Sequence, residues 1–181
     1  MIRLYIGKSA SGKDTLCRRI CESSDGKIKP IVSSTTRPPR DGEIDGRDYN
    51  FETREAFMDK VSKGDIIEYR RYNAVQNGKS VEWLYGSPRV DIEKEWAAVV
   101  DIDGALAYIE NYGSFNLEIT YVFADSDIRE TRAKSRGSFD KAEWDRRAVA
   151  DDKAFDYENL KRLTETYGRH VKYFCNNKER T

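Results

Sequence analysis

Histidine and cysteine are scarce in this sequence, which holds one histidine, His170, and three cysteines among 181 residues. Chemistry that needs a histidine base, or a metal site built from several histidines, is therefore not expected, and His170 is interpreted as a surface residue. The cysteines show no metal-type spacing. Cys17 and Cys21 lie four residues apart on a predicted helix, so we expect two small buried thiols rather than a disulfide.

Excess charge and long apolar runs are missing as well. Thirty-two basic side chains balance thirty-two acidic ones, whereas a nucleic-acid-binding surface usually has a cationic excess, so no nucleic-acid partner is expected. No run of about 18 apolar residues occurs, so no membrane partner is expected. The first residues lead straight into a predicted strand at 2–6, which leaves no room for a signal peptide. The expectation is a cytoplasmic protein.

The most informative stretch is a glycine-rich motif near the start of the chain. Residues 7–13, GKSASGK, follow the pattern Gly-x4-Gly-Lys and lie between the predicted strand and a predicted helix at 13–22. Glycines allow the backbone to curl around an anion with several N–H groups pointing inward, and the helix N-terminus adds its positive end. Lys13 adds a mobile charge for the outer phosphates. The alternative, a plain glycine-rich turn, is disfavoured by the strand–turn–helix setting.

This loop is therefore predicted to bind a nucleoside triphosphate. The predicted ligand-binding residues are Gly7, Ser9, Ser11, Gly12, Lys13, Asp14 and Thr15. Asp14 departs from the pattern, which expects Ser or Thr at that position. Because Thr15 follows, we hypothesise that the Thr15 hydroxyl makes the contact on the metal side.

Two groups of arginines are candidates for binding further phosphate. Arg37 and Arg40 flank two prolines, and guanidinium groups on a stiff scaffold suit the oxygens of a phosphate; a solvated basic turn is the alternative. The second group lies in a charge-rich segment and consists of Arg132, Arg136, Arg146 and Arg147. Its alternative is an exposed helix laced with acidic side chains, namely Glu130, Asp140, Glu143 and Asp145.

Asp101 and Asp103 follow a short apolar run at 97–100 that resembles a central parallel strand. A carboxylate at the carboxyl end of such a strand, facing the phosphate loop, is the expected position for holding magnesium through water. The alternative is a helix N-cap, a role that Asp103 fits equally well.

Strands alternate with helices at both ends of the chain, which predicts an α/β fold with a parallel sheet. The middle of the chain is rich in strands and is interpreted as an inserted lobe. Asn77-Gly78 is a strong hairpin signal there, and a short helix is expected at 88–94. Other predicted strands are at 28–32, 66–72, 81–85, 117–123 and 171–175, and other predicted helices are at 105–112 and 158–167.

Several of these segments resemble the guanylate kinases, which are P-loop nucleoside monophosphate kinases. The likeness is most specific at residues 31–43, IVSSTTRPPRDGE, and 46–51, GRDYNF, which are similar to the family's segment for binding a nucleoside monophosphate. The likeness covers nearly the whole chain. It continues in the family's order through Glu68, residues 85–87 and 101–103, Arg132, residues 136–137, Arg147 and residues 175–177.

The resemblance implies a three-layer P-loop NTPase core with a parallel sheet, an inserted mixed α/β nucleoside-monophosphate-binding lobe and a helical lid. The implied core comprises residues 1–33, 89–126 and 148–181. The GMP-binding lobe would be 34–88 and the lid 127–147. The oligomeric state expected is a monomer or a homodimer.

The activity that the resemblance implies is transfer of the γ-phosphoryl group of ATP, with Mg²⁺, to GMP or dGMP. The residues implied to bind the acceptor are Ser33, Glu68 and Ser87 at the guanine, Arg37, Arg40, Tyr49 and Tyr85 at the phosphate, and Asp101 and Asp103. Lys13, Arg37, Arg132, Arg136 and Arg147 would be catalytic, and Asn176 would lie near the adenine. Thr15 and, through water, Asp101 would serve the metal.

Two departures from the family pattern border the implied base pocket. The stretch from Glu68 to Tyr85 is longer than the family's spacing, and Asp103 runs directly into Gly104. A nucleotide kinase with altered or broadened base choice is therefore one alternative. A non-catalytic protein-binding module is another, although such modules tend to lose the phosphate loop, which is present here.

Overall fold

The computed structural model, which describes residues 1–76, 79–135 and 139–177, has nine strands and six helices in those residues. The strands are β1 (Ile2–Ile6), β2 (Ile28–Pro30), β3 (Ser34–Thr35), β4 (Asn50–Phe51), β5 (Ile66–Gln76), β6 (Lys79–Pro88), β7 (Glu95–Val99), β8 (Leu117–Phe123) and β9 (Lys172–Cys175). The helices are α1 (Lys13–Glu22), α2 (Arg54–Lys63), α3 (Ile102–Tyr112), α4 (Ser126–Lys134), α5 (Lys141–Ala154) and α6 (Tyr157–Tyr167).

The chain divides into two units, each with its own sheet. The first unit comprises Met1–Pro30 and Ile92–Thr181, and the second unit comprises Ile31–Asp91. The first unit holds a five-stranded sheet in the order β2-β7-β1-β8-β9, in which every neighbouring pair is parallel. The predicted α/β fold with a parallel sheet is confirmed.

The central position of β1 explains its mainly apolar sequence, which Arg3 interrupts. Leu4 lies opposite Ala98 on β7 and Ile119 on β8, so β1 is paired along both of its edges. Ile2, Leu4 and Ile6 are fully buried, as expected for a strand inside a parallel sheet. Because parallel strands end at the same edge of a sheet, the segments that follow β1, β7, β8 and β9 emerge on one side, where ligands of open α/β sheets bind.

Helix α1 packs its inner face on this sheet and carries two of the cysteines. Cys17 lies in a buried cluster with Tyr5, Ala97 and Val122. Burial raises the pKa of the Cys17 thiol to about 12, and burial also raises the pKa of Cys21. All three cysteines are free thiols, with Cys21 half-buried and Cys175 exposed.

The second unit is a four-stranded sheet in the order β4-β3-β6-β5, backed by α2. Phe57 from α2 is fully buried against Ile66 and Leu84. Strands β5 and β6 form a long antiparallel hairpin, in register from Glu68 opposite Ser87 to Gln76 opposite Lys79. The predicted Asn77-Gly78 turn lies outside the described residues.

Among the elements predicted from the sequence beyond residue 87 are a strand that is confirmed and a helix that is wrong. The strand at 117–123 is confirmed as β8 with the same bounds, but the helix expected at 88–94 is wrong. Residues 89–94 form bends and turns instead. Arg89 explains this, because its backbone N–H donates to the Asp65 carbonyl at 2.7 Å and its side chain donates to the Gly64 carbonyl at 2.8 Å. None of the helices in the described residues combines the length and apolar character needed to cross a bilayer.

Candidate functional site

The phosphate loop, residues 7–12, connects β1 to α1 and needs glycine at both of its ends. Gly7 has φ 151°, and a Cβ there would lie 2.1 Å from the Val122 carbonyl oxygen. Gly12 has φ 91°, and a Cβ there would lie 2.2 Å from the Asn176 amide nitrogen. The backbone conformation disfavours a side chain at both positions, and at Gly7 the Val122 backbone oxygen also excludes one. The loop leads directly into the N-terminus of α1, whose dipole favours an anion.

Three residues predicted to lie on the ATP side of the site contact one another at the end of this loop. The Asn176 side chain donates to the Ser11 carbonyl at 2.8 Å, and Arg132 donates to the same carbonyl at 3.3 Å. Arg132 also donates to the Asn176 carbonyl at 2.7 Å. Ser11 is fully buried, and its hydroxyl has no hydrogen-bond partner among the described residues. The structure thus brings Ser11, Gly12, Arg132 and Asn176 together.

Lys13 and Asp14 begin α1 and lie close to each other. The Lys13 ammonium is 3.6 Å from an Asp14 carboxylate oxygen, and the Lys13 side chain is 16% exposed. Asp14, which replaces the hydroxyl residue of the sequence pattern, therefore supplies a counter-charge to the loop lysine. Thr15 follows in the same first turn of the helix.

Ser9 has partners that the sequence reasoning missed. Its N–H donates to Asp151 on α5 at 2.6 Å, and its carbonyl accepts from Arg129 on α4 at 3.4 Å. Lys8 pairs with Asp152 at 2.6 Å. The only sequence signal for these contacts was a pair of adjacent aspartates in a charged helix, which is too common a pattern to indicate a site.

Asp101 and Asp103 have different surroundings although both follow β7. One Asp101 carboxylate oxygen accepts from the Gly104 N–H at 2.8 Å, so Asp101 is the N-cap of α3. The alternative weighed from the sequence, a cap formed by Asp103, is replaced by a cap formed by Asp101. The Asp103 carboxylate accepts a hydrogen bond from Arg162 on α6.

Two arginines of the charge-rich segment, Arg146 and Arg147, lie on α5. Glu143 accepts from Arg146 at 2.7 Å and from Arg147 at 2.6 Å. Hydrogen bonds from these two guanidinium groups hold the pKa of the Glu143 carboxyl far below its usual 4.5, at about 2. The arginine-rich face of this helix is therefore neutralised in part by its own glutamate. Arg136, predicted to be catalytic, lies outside the described residues.

In the second unit, the Arg37 side chain is buried and held in one orientation by its neighbours. Its side chain is 4% exposed and makes two hydrogen bonds of 2.9 Å to the two oxygens of Glu43. The Glu43 hydrogen bonds raise the pKa of Arg37, and the same contact lowers the pKa of Glu43. The Arg37 guanidinium also lies 5.5 Å from the Tyr49 ring centre. These contacts fix the direction of one predicted phosphate ligand.

Other predicted phosphate ligands surround Arg37. The Tyr49 and Tyr85 ring centres are 5.9 Å apart, in an edge-to-face arrangement. The Arg40 backbone N–H donates to Glu43 at 2.7 Å, so Glu43 organises the backbone around both arginines. Glu43 is the last residue of the motif at 31–43, but the spacing of the motif alone did not indicate that Glu43 holds Arg37.

Glu68 and Ser87 form the predicted base-reading pair on the same face of the hairpin. The Ser87 hydroxyl donates to Glu68 at 2.6 Å, and Ser87 is buried. Between Tyr85 and Ser87, a Cβ on Gly86 would come within 2.8 Å of Phe57 and Ile66, so α2 packs directly beneath this strand. The carbonyl of Ser33 accepts from the Asn50 N–H at 2.9 Å, which joins it to β4.

A second carboxylate of this unit, Glu52, has a side chain that is 10% exposed, and no sequence motif indicated a role for it. One of its oxygens accepts from the Ser34 hydroxyl at 2.5 Å and from Lys60 at 2.8 Å. Ser34 is adjacent to Ser33, so Glu52 fixes the strand that presents a predicted base-reading residue.

Comparisons with known proteins point to one family. The family model described as guanylate kinase matches residues 2–165. The guanylate kinase of Clostridium tetani (strain Massachusetts / E88) is 37% identical over 110 residues, which cover 59% of this chain and 49% of that protein. The guanylate kinase of Streptococcus pyogenes serotype M3 (strain ATCC BAA-595 / MGAS315) is 29% identical over 189 aligned positions, covering 92% of this chain and 85% of that protein.

A solved structure gives the same result for the fold. The crystal structure of guanylate kinase from Anaplasma phagocytophilum covers 91% of this chain and 94% of its own, with a TM-score of 0.50 and 24% sequence identity. These matches confirm the resemblance noted in the sequence.

Proposed function

Because the chain belongs to the guanylate kinase family, we propose that it transfers the γ-phosphoryl group of ATP to GMP or dGMP, releasing ADP and GDP or dGDP. The observation that supports the proposal is that one chain holds two groups of residues suited to binding nucleotides, one in each unit. The first unit has a phosphate loop supported by Asn176 and Arg132. The second unit has Arg37 fixed by Glu43, together with the Glu68–Ser87 pair.

In the first unit, the loop N–H groups and Lys13 would bind the outer phosphates of ATP. Arg132 and the Asn176 side chain both donate to the Ser11 carbonyl of the loop, and Asn176 would lie near the adenine. Gly7, Ser9, Ser11, Gly12 and Asp14 would shape this half of the site. We propose that Arg147, together with Arg136, approaches the triphosphate from residues 127–147 acting as a lid, with Glu143 as the alternative partner of Arg147.

The residues of the first unit fit magnesium that arrives with ATP. Mg²⁺ prefers oxygen ligands and commonly uses one or two protein groups plus substrate phosphates and water. Thr15 offers a hydroxyl, and Asp101 offers a carboxylate of which one oxygen caps α3. Among the described residues there is no cluster of three or more His, Cys, Asp or Glu that could hold a metal alone. When bound, the ion would neutralise charge on the phosphate oxygens.

In the second unit, the Glu68 carboxylate would accept from the N1–H and amino group of guanine, donors that adenine does not offer in this pattern. The Ser87 hydroxyl, donating to Glu68 at 2.6 Å, would orient that carboxylate, and Ser33 would add a further contact. Arg37, Arg40, Tyr49 and Tyr85 would bind the acceptor phosphate. A contribution of Asp101 and Asp103 to acceptor binding stays a proposal.

The chemistry needs no catalytic base. The acceptor phosphate has a second pKa of about 6 and is mostly dianionic at neutral pH, so no proton has to be removed. An oxygen lone pair of GMP forms the new bond to the γ-phosphorus, and the bond to the β–γ bridging oxygen breaks, leaving ADP. The barrier is the mutual repulsion of anions, which Lys13 and the arginines would lower by positioning and charge.

Location and assembly belong to the same proposal. Free thiols suit a reducing compartment, and we place the protein in the cytoplasm as a monomer or homodimer, without a nucleic-acid or membrane partner.

The test is ADP release from ATP and magnesium with each ribo- and deoxynucleoside monophosphate in turn. We expect GMP or dGMP to be clearly preferred. A Lys13→Met variant should keep the fold, shown by an unchanged circular dichroism spectrum, and lose turnover. The proposal is wrong if the folded wild-type protein phosphorylates none of these acceptors.

A further inference from the structure

The backbone of Ser9 is held at both of its polar groups by side chains from two different helices. The Ser9 N–H donates to Asp151 Oδ2 at 2.6 Å, and the Ser9 carbonyl accepts from Arg129 Nη1 at 3.4 Å. The same Arg129 nitrogen lies 3.7 Å from Asp151 Oδ2. These three residues form a closed ring of contacts, which we call the Ser9 clasp.

The charged side chains of the Ser9 clasp are less exposed than those of most ion pairs among the described residues. The side chains of Arg129 and Asp151 are 7% and 17% exposed, whereas those of the neighbouring pair Lys8 and Asp152 are 25% and 67% exposed. The Arg129 guanidinium also lies 5.9 Å from the Trp144 ring centre. Electrostatic contacts are stronger where water is excluded, so the clasp constrains Ser9 more than a surface ion pair would.

The residue after Ser9 shows why the loop needs such a constraint. Ala10 has φ 59°, in the left-handed region that residues with a Cβ rarely adopt. Strained backbone of this kind persists only where the surrounding structure fixes it. The clasp fixes Ser9 on one side of Ala10, and the contacts of Asn176 and Arg132 fix Ser11 on the other.

We infer that Asp151 and Arg129 are positioning residues for nucleotide binding, which hold the first half of the phosphate loop in its curved conformation before the nucleotide arrives. This inference rests on the proposed function of the loop as the ATP site. In the clasp, the Ser9 N–H already donates to Asp151. Ser9 therefore contributes to nucleotide binding by keeping the loop backbone in place. A loop ordered in advance loses less conformational entropy when it binds phosphate.

The prediction concerns affinity for the nucleotide more than the chemical step. Asp151→Ala should weaken binding of ATP and of ADP, measured by titration calorimetry, by about tenfold. The KM for ATP should rise to match, while kcat and the KM for GMP change by less than about twofold. Asp151→Asn keeps a carbonyl that can accept from the Ser9 N–H, so it should recover part of the lost affinity.

Asp152→Ala is the matched control, because it removes a carboxylate one residue away on the same helix whose hydrogen bond to the loop is made to a side chain, that of Lys8. Its ATP affinity should stay within about twofold of wild type. Combining Arg129→Lys with Asp151→Ala should cost less than the sum of the two single losses, because both act through the clasp.

The inference is overturned if Asp151→Ala binds ATP and ADP as tightly as wild type, or if Asp152→Ala loses as much affinity. Should Asp151→Ala fail to fold, the Asp151→Asn and Arg129→Lys variants decide the question, with thermal unfolding midpoints as the check on folding. Calorimetry does not depend on phosphoryl transfer. A wild-type protein that binds ATP but phosphorylates no acceptor would therefore contradict the proposed function and leave the clasp to be judged on binding alone.

Discussion

At the scale of single residues, glycine matters most where the backbone is both left-handed and crowded. Gly7 meets both conditions, since a Cβ would approach the Val122 carbonyl oxygen, which belongs to a central strand and cannot move aside. Gly26 shares a positive φ, 77°, but has open space around its Cβ position. A substitution at Gly26 therefore introduces backbone strain alone, whereas one at Gly7 introduces both strain and a steric clash.

Gly7→Ala should therefore destabilise the protein far more than Gly26→Ala. The strain alone costs about 1–2 kcal/mol for a residue with a Cβ, and this is the loss expected at Gly26. At position 7 the clash adds to it, and we expect at least about 3 kcal/mol in urea unfolding. Equal losses at the two positions would show that Val122 and the loop can separate without cost.

At the scale of elements, several charged side chains of α5 pair with one another within the helix. Glu143 is placed three and four residues before Arg146 and Arg147, the spacing at which helical side chains meet. Its depressed pKa means that the charged form is favoured in the folded protein. The stabilisation is complete above the usual pKa of 4.5 and is lost as the pH falls toward about 2.

This pairing predicts a pH-dependent difference between wild type and Glu143→Gln. Above pH 5 the variant should be less stable, by under about 1 kcal/mol because the side chain is partly exposed. The difference should shrink as the pH is lowered through the range from about 4.5 to 2. Urea unfolding across that range measures it, with the exposed Glu110→Gln on α3 as a control. A stability difference between wild type and Glu143→Gln that does not change with pH would contradict the lowered pKa of Glu143.

Helix α3 offers a way to separate a structural role of Asp101 from a metal role. Asparagine caps a helix about as well as aspartate, but it carries no charge. Asp101→Asn should therefore keep the stability within about 0.5 kcal/mol, whereas Asp101→Ala should lose about 1 kcal/mol.

If Asp101 also serves magnesium, Asp101→Asn should raise the magnesium concentration needed for half-maximal turnover, by about threefold or more, because the remaining amide is a weaker ligand for a hard cation. Titrating magnesium at saturating nucleotide gives this value. An unchanged magnesium requirement would leave Asp101 as a helix cap alone.

At the scale of the whole molecule, each of the two units contains a buried apolar cluster. The second unit depends on one small cluster around Phe57, Ile66 and Leu84. Phe57 is fully buried, and its ring centre lies 5.9 Å from that of Tyr69. Loss of this one side chain removes a large part of the apolar contact in a unit of modest size.

Phe57→Ala should accordingly cost about 3–5 kcal/mol in the second unit. Hydrogen exchange followed by mass spectrometry should speed up in peptides from Ile31–Asp91 more than in the rest of the chain. Phe115→Ala, at a side chain that is 84% exposed, should leave exchange nearly unchanged. A uniform increase along the whole chain would mean that both units unfold in one cooperative step.

The sequence was sufficient for the parts of this molecule that depend on local pattern. The apolar run of β1, the glycine spacing of the loop and the bounds of β8 are encoded by residues close together in the chain. The bends after Pro88 were missed because they depend on hydrogen bonds from Arg89 to residues about 25 positions earlier. The clasp on Ser9 was missed for the same reason, since its partners lie more than 100 positions away.

The ion pairs of the site were predictable from the sequence only in part. Glu143 with Arg147 follows helical spacing, and the sequence reasoning considered such a charge-laced helix. Arg37 with Glu43 crosses two prolines, so its two-pronged contact depends on the path of an irregular segment. Spacing alone does not determine that path, and only the folded chain shows which carboxylate receives the guanidinium.

The uneven burial of the three thiols makes the chain suited to selective labelling. Cys17 is buried with a pKa raised to about 12 and stays protonated at neutral pH, and the pKa of Cys21 is also raised, whereas Cys175 is exposed. A maleimide dye should therefore react first at Cys175. Asn176, the next residue, donates to the Ser11 carbonyl of the phosphate loop, so the fluorescence of that dye would report directly on events at the loop.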